Sequence, residues 1–155
     1  MKNFAKVVLC SAILVTIPVS MSATAGGQFK HQIEARQGYY KMIKFNFGVL
    51  GAMVKGKKEY NADTASTAAN NIYTLSKLNN EMLWPKGSDN NQAKGTSAKP
   101  AIWENFPDVQ EKSRNWKSAV KTLASEAGNG LAALRASFGP VGKSCKSCHD
   151  DYKAK

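Results

Sequence analysis

The chain has 155 residues, and its 22 Lys and Arg against 11 Asp and Glu give a formal net charge of +11. That length makes one domain after the N-terminal segment described below, and the lysines are scattered along the chain instead of being clustered as a nucleic-acid surface requires, so nucleic acid is excluded as a partner. The basic balance suits acidic protein partners or anionic membrane surfaces, or serves solubility alone, and by itself selects no function.

Lys2 and Lys6 form a basic start, Val7 to Val19 is an apolar run, and Ala23-Thr24-Ala25 is a small-residue cleavage site before Gly26. The pattern predicts a secretory signal peptide over residues 1–25, cleaved near Ala25, and an exported domain over residues 26–155, placed in the periplasm. The apolar run is short for a bilayer and none like it follows, so no membrane span is expected. Cys10 falls within the leader, leaving two cysteines in the domain. Without Lys2 and Lys6 the balance is 20 basic against 11 acidic residues, about +9.

Four segments carry helical periodicity and none alternates as a strand. The first runs from about Gln28 to Lys55, with Arg36, Tyr40, Ile43, Phe47, Leu50 and Val54 forming a stripe. Gly56 to Glu59 is a short connection, after which Asn61 or Asp63 caps a second helix over about Ala62 to Met82. Its face holds Ala65, Ala68, Ile72, Leu75 and Met82, and it is expected to stop at Trp84-Pro85. Pro85 to Pro100, rich in Gly, Ser, Asn and Lys, is expected to be a surface loop.

The third helix spans about Ala101 to Ala127, with Ile102, Phe106, Val109, Trp116, Val120 and Leu123 inward and Pro107 in its early turns. After Gly128-Asn129-Gly130 the last helix aligns Leu131, Leu134, Phe138, Val141, Cys145, Cys148 and Tyr152 at strict three-four spacing. Gly139-Pro140 interrupts it, and two readings stand: one kinked helix, or a short helix followed by a new one starting at Pro140. The pattern predicts an all-α, up-down-up-down antiparallel four-helix bundle with a cofactor in its core.

Cys145-Lys146-Ser147-Cys148-His149 names that cofactor. Two thiols three residues apart with a histidine directly after the second form the attachment box of haem c: each thiol adds to a vinyl group, and His149 is delivered to the iron as axial ligand. One haem per chain, covalently attached, is expected. A zinc site needs about four ligands, and the domain offers only Cys145, Cys148, His149 and the distant His31. A thioredoxin-like redox pair belongs at a helix N-terminus in a βαβ setting, and no strand pattern precedes this box.

With Arg36-Gln37 early in the first helix, Pro100-x-Ile102-Trp103 opening the third, and Phe138-Gly139 before a C-terminal Cys145-x-x-Cys148-His149, the chain resembles the cytochrome c′ family over its whole exported length. The resemblance implies that Arg36 lies by the haem propionates with Gln37 at the haem edge, that Tyr40 covers the distal iron face, and that Lys153 stands beside the proximal imidazole. It also implies a loop contact to haem before Pro100, where Thr96-Ser97-Ala98-Lys99 departs from the usual polar or acidic residue and leaves Ser97 as the position to watch. In low-spin relatives of the c556 type a methionine ligates the iron at the Tyr40 position. Met42 and Met53 are read as surface or core side chains, and His31 as a surface residue.

These residues point to a high-spin, five-coordinate iron that binds nitric oxide or carbon monoxide, and to a nitric oxide sink or buffer. The alternative is a one-electron carrier between periplasmic redox proteins. No acid-base constellation marks the chain as an enzyme. The family commonly pairs antiparallel through its first two helices, so a homodimer is the expected assembly, while the residues themselves leave monomer and dimer open.

Overall fold

A computed structural model describes residues 27–155, so the expected leader lies outside the described residues. Four long helices pack into a bundle: α1 (Lys30–Val54), α2 (Ala62–Ser76), α4 (Phe106–Glu126) and α5 (Leu131–Tyr152), with a single turn, α3 (Ala101–Glu104), before α4. α1 packs on α2 and α5, and α4 packs on the same two, which closes the ring. Among the described residues there is no strand, only an isolated antiparallel bridge between Ala98 and Lys153. No described helix is long and apolar enough to cross a membrane.

The core draws on every long helix: Tyr39, Ile43, Leu50 and Met53 from α1, Ala65, Ala68, Ala69 and Ile72 from α2, Val120 and Leu123 from α4, and Leu134 and Val141 from α5. Small side chains on α2 allow close approach of its neighbours, and the apolar area removed from water is the main stabilising term. Asn61 caps α2, its side chain accepting from the Thr64 N–H at 2.8 Å. Met53 lies in the core and Met42 on the surface.

Three expectations are corrected. α2 ends at Ser76 instead of reaching Met82, which stands 88% exposed in a short 3₁₀ turn, Glu81–Leu83. The Asn79 side chain accepts from the Glu81 N–H at 3.1 Å, a local bond that competes with helix continuation. The third predicted helix is broken at Asn105 (φ −127°, ψ 54°), and Pro107 then occupies the first turn of α4. Proline there would press on the carbonyl four residues back, so the chain turns at Asn105 and leaves Phe106 exposed. The 85–100 connection is not purely superficial either: Ser88, Asp89 and Ala98 are buried.

Helix α5 is continuous through Pro140, which settles the choice between one helix and two. Part of the usual clash before proline falls on the preceding Cβ, and residue 139 is glycine, with none. Gly130 opens α5 at φ +109°, a conformation that favours glycine, and its N–H donates to the Tyr60 hydroxyl at 2.9 Å. Tyr60 in turn donates to the Ala127 carbonyl at 2.9 Å, pinning the α4–α5 turn to the end of α1's connection. Phe47 and Phe138 stack with centroids 4.0 Å apart and hold α1 to α5. Leu50 lies fully buried where these helices meet. Leu50→Ala is expected to cost about 2–5 kcal/mol, measured as a lower denaturant midpoint with an unchanged slope.

Candidate functional site

Cys145 and Cys148 lie in the last two turns of α5, three residues apart and therefore on one face. Both thiols are free and partly buried. Cys145 packs on the main core, while Cys148 packs on a second cluster built from Ala98, Ile102, Tyr152, Trp84, Trp103 and Val109. Burial pushes both thiols up, Cys145 further through its neighbour Cys148, and Cys148 through Asp108 and Asp151 against the opposing Lys112. A reactive redox pair needs the reverse, a lowered thiol at a helix N-terminus. These thiols stand near a C-terminus and are held protonated.

His149 follows on the exposed side of the same turn. Burial lowers its pKa, Lys153 one turn on lowers it further and Asp150 opposes, so the imidazole is neutral at pH 7 with a lone pair to offer. Among the described residues no group of three or more His, Cys, Asp or Glu is arranged to hold a metal ion. His31 is 94% exposed on α1, 3.9 Å from Glu34. This set of donors, two thiols on one face and a neutral imidazole beside them, fits thioether-linked haem and does not fit zinc.

Tyr40 stands on α1, within the same helix as Arg36. Its ring meets Tyr39 edge-on at 4.9 Å and Trp84 at 6.3 Å, and 44% of its surface is accessible. Desolvation raises its phenol well above the ordinary range, with Tyr39, Cys148 and Cys145 adding to the shift and Arg36 opposing it. Trp84, which meets Tyr40, packs in the same cluster as Cys148, so the two residues line one region. The Tyr40 hydroxyl is a neutral phenol at any physiological pH.

Arg36, one turn earlier, is 4% exposed. Its guanidinium donates to the Leu83 carbonyl (3.3 Å), the Ser88 hydroxyl (3.0 Å), the Ser88 carbonyl (3.0 Å) and the Thr96 hydroxyl (2.8 Å), and lies 4.3 Å over the Trp84 ring. Burial lowers its pKa, with no consequence for its charge at neutral pH. Gln37 donates to the Gly95 carbonyl. The structure thus brings Arg36 and Gln37 together with the loop, sets Tyr40 against Trp84 just before it, and holds Cys145, Cys148 and His149 on α5 with Lys153 directly after it. Ser97 is exposed, and its carbonyl accepts from the Ala154 N–H at 2.8 Å.

Sequence reasoning missed the aromatic floor and the support beneath the box. Trp103 donates its indole N–H to the Trp84 carbonyl at 3.1 Å, locking two rings whose centroids lie 6.2 Å apart. Trp84 was read only as a helix stop. Under Cys148, Tyr152 donates to Asp108, and Lys112 reaches Asp151 at 3.2 Å, Asp108 at 3.5 Å and the Ser147 hydroxyl at 3.3 Å. The i, i+4 spacing of Asp108 and Lys112 was the available signal.

The cytochrome c′ family model matches residues 31–153. The chain is 37% identical over 148 residues to a cytochrome c′ of Cereibacter sphaeroides, covering 96% of this chain and 97% of the relative. To a cytochrome c′ of Allochromatium vinosum it is 38% identical over 148 residues, covering 94% and 95%. Among solved structures, a cytochrome c′ from Rhodobacter sphaeroides superposes with a TM-score of 0.81 at 40% identity, covering 82% of this chain and 98% of that one.

The bond to Asp108 pushes the Tyr152 phenol up to about 12. A phenol raised above its usual value near 10 contributes stability that is complete below pH ~10 and is lost as pH rises through ~12. The stability gap between wild type and Tyr152→Phe is therefore expected to stay constant up to about pH 10 and to shrink toward pH 12, followed by denaturant midpoints at each pH.

Proposed function

Since the chain belongs to the cytochrome c′ family, and is thereby a haem protein, we propose that it is a periplasmic gas-binding haem c protein in which His149 alone ligates the iron and Tyr40 shields the opposite face. When attached, the haem supplies an iron site for small diatomic molecules and a one-electron couple. The reading is carried by one observation: the α1 residue whose ring meets Trp84, in the cluster that also holds Cys148, is a tyrosine and not a methionine.

Each residue then has a task. Cys145 and Cys148 hold the group through two thioethers, and His149 presents a neutral ring nitrogen. Lys153 sets charge beside that ring. Arg36 frames the edge: its Nη atoms are taken by the loop, so it offers propionates its charge more than a free pair of donors. Gln37 and the exposed Ser97 lie at the same rim. Tyr40 packs against Tyr39 and Trp84 and must be pushed aside by an incoming ligand, which favours small neutral gases. A nitric oxide sink or buffer is the role that this selectivity suits.

Relatives support the choice of gases. Variants of a cytochrome c′ from Alcaligenes xylosoxidans, 29% and 30% identical to this chain, have been solved with carbon monoxide and with nitric oxide bound. Electron transfer is the second reading, supported by the likeness to a cytochrome c-556 of Agrobacterium tumefaciens, 35% identical over 125 residues.

We also propose a homodimer through α1. Phe45 is 72% exposed there and lines a groove of about 550 Å³ with Gly48, Val49 and Ala52, rimmed by Lys41, Lys44 and Lys58. One relative of the fold forms a dimer whose dissociation is ligand-controlled. Like charges meet across such a face, so sedimentation is expected to show association strengthening with added salt; a monomer at every ionic strength removes the dimer.

Stopped-flow mixing of the reduced holoprotein with carbon monoxide tests the gas reading. Binding is expected in the wild type and a faster on-rate in Tyr40→Ala. An equal on-rate removes Tyr40 from the gate, and no binding at all favours the electron carrier.

A further inference from the structure

Residues 96–99 run between the two sides of the proposed haem site and touch both. At one end the Thr96 hydroxyl accepts from Arg36 Nη2 at 2.8 Å and from the Ala98 N–H at 3.1 Å. Arg36 lies one turn from Tyr40 on α1. At the other end the segment pairs with the tail beyond α5: the Ala154 N–H donates to the Ser97 carbonyl at 2.8 Å, Ala98 bridges Lys153, and the Lys99 N–H donates to the Tyr152 carbonyl at 3.0 Å. The Lys99 ammonium also donates to the Asp151 and Asp150 carbonyls at 3.0 and 3.3 Å.

Those carbonyls belong to the last turn of α5, where intrahelical donors have run out, and a cation there also meets the negative end of the helix dipole. His149 begins that turn and Lys153 ends it. Without partners, the end of a helix frays, with opening free energies near zero. Here the tail is held by backbone pairing and a charge-assisted cap, and the holding segment is itself anchored to a buried guanidinium.

We propose that residues 96–99 act as a strap in which Thr96 and Lys99 are positioning residues: Thr96 ties the strap to the distal helix, Lys99 ties it to the last turn of α5, and together they set the orientation of the His149 ring and the place of Lys153. The inference rests on the haem reading given above. Within the strap Ala98 belongs to the cluster on which Cys148 packs, but Thr96 and Lys99 bond to Arg36 and to the α5 carbonyls and not to a thiol, so attachment does not depend on these two side chains. What depends on them is the geometry of the proximal imidazole, which has to be held to a fraction of an ångström to keep a fixed bond.

Two readouts on the ferrous holoprotein test this. Resonance Raman reads the iron–His149 stretching band, and hydrogen exchange reads the Lys99, Lys153 and Ala154 amides. Thr96→Val and Lys99→Met are expected to keep haem attached at wild-type stoichiometry, to speed exchange at those amides, and to shift or broaden the iron–His149 band. Thr96→Ser and Lys99→Arg, which keep a hydroxyl and a cation, are expected to match wild type in both. Faster exchange with an iron–His149 band superimposable on wild type overturns the proposal, because the strap is then only structural. Unchanged exchange overturns it too. A wild-type chain with no thioether-linked haem after denaturation overturns the haem reading itself, a failure distinct from the other two.

Discussion

One buried charge organises this molecule. Arg36 is 4% exposed in the wall of a helical bundle, and a guanidinium taken out of water is tolerable only if its donors are met. α1 cannot meet them, since its own backbone groups are committed to the helix. The acceptors come from the connection between α2 and α3, at Leu83, Ser88 and Thr96, with Trp84 beneath the cation. A segment rich in Gly, Ser and Asn is thereby given one conformation. Once in place it holds Gln37 at its rim, seats the tail of α5, and puts the Trp84 and Trp103 rings beside Cys148.

The chemistry then follows from helical spacing on two facing elements. On α5 a three-residue interval sets two thiols on one face with an imidazole beside them; on α1 a four-residue interval sets Tyr40 one turn from Arg36. The bundle brings those faces together through Phe47 on Phe138 and a core in which Leu50, Leu134 and Val141 are closed to solvent. In the proposed function, whether the iron site is open or closed comes down to one side chain on α1, with Tyr40 serving as a cover and not as a ligand.

The helices were largely legible because three-four spacing is a local signal repeated many times. Ile43 and Leu50 on α1, Ala65 and Ile72 on α2, and Leu134 and Val141 on α5 all lie buried as their periodicity implies. The last helix ran through Gly139-Pro140 because its register stayed unbroken across the pair, and glycine before proline lowers the local cost. The failures have the opposite character. α2 stopped at Ser76 because the Asn79 side chain takes over a backbone bond, and Leu78 and Met82, apolar residues in step with the face, were left outside. The loop was read as superficial because its composition is polar; that Ser88 and Thr96 are polar in order to satisfy a charge some 50 residues earlier is a long-range fact. The attachment box and Tyr40 were readable as residues; the 96–99 segment was read only as a loop contact, and its bonds to Arg36 and to the end of α5 were not.

The central claim is that His149 holds the iron alone while Tyr40 covers the other face without binding. The absorption and magnetic circular dichroism spectrum of the reduced holoprotein, recorded without added gas, reads that coordination directly. The account predicts a high-spin, five-coordinate ferrous signature, unchanged in Tyr40→Phe, which keeps the ring and removes the oxygen. A low-spin, six-coordinate signature in the wild type would contradict it.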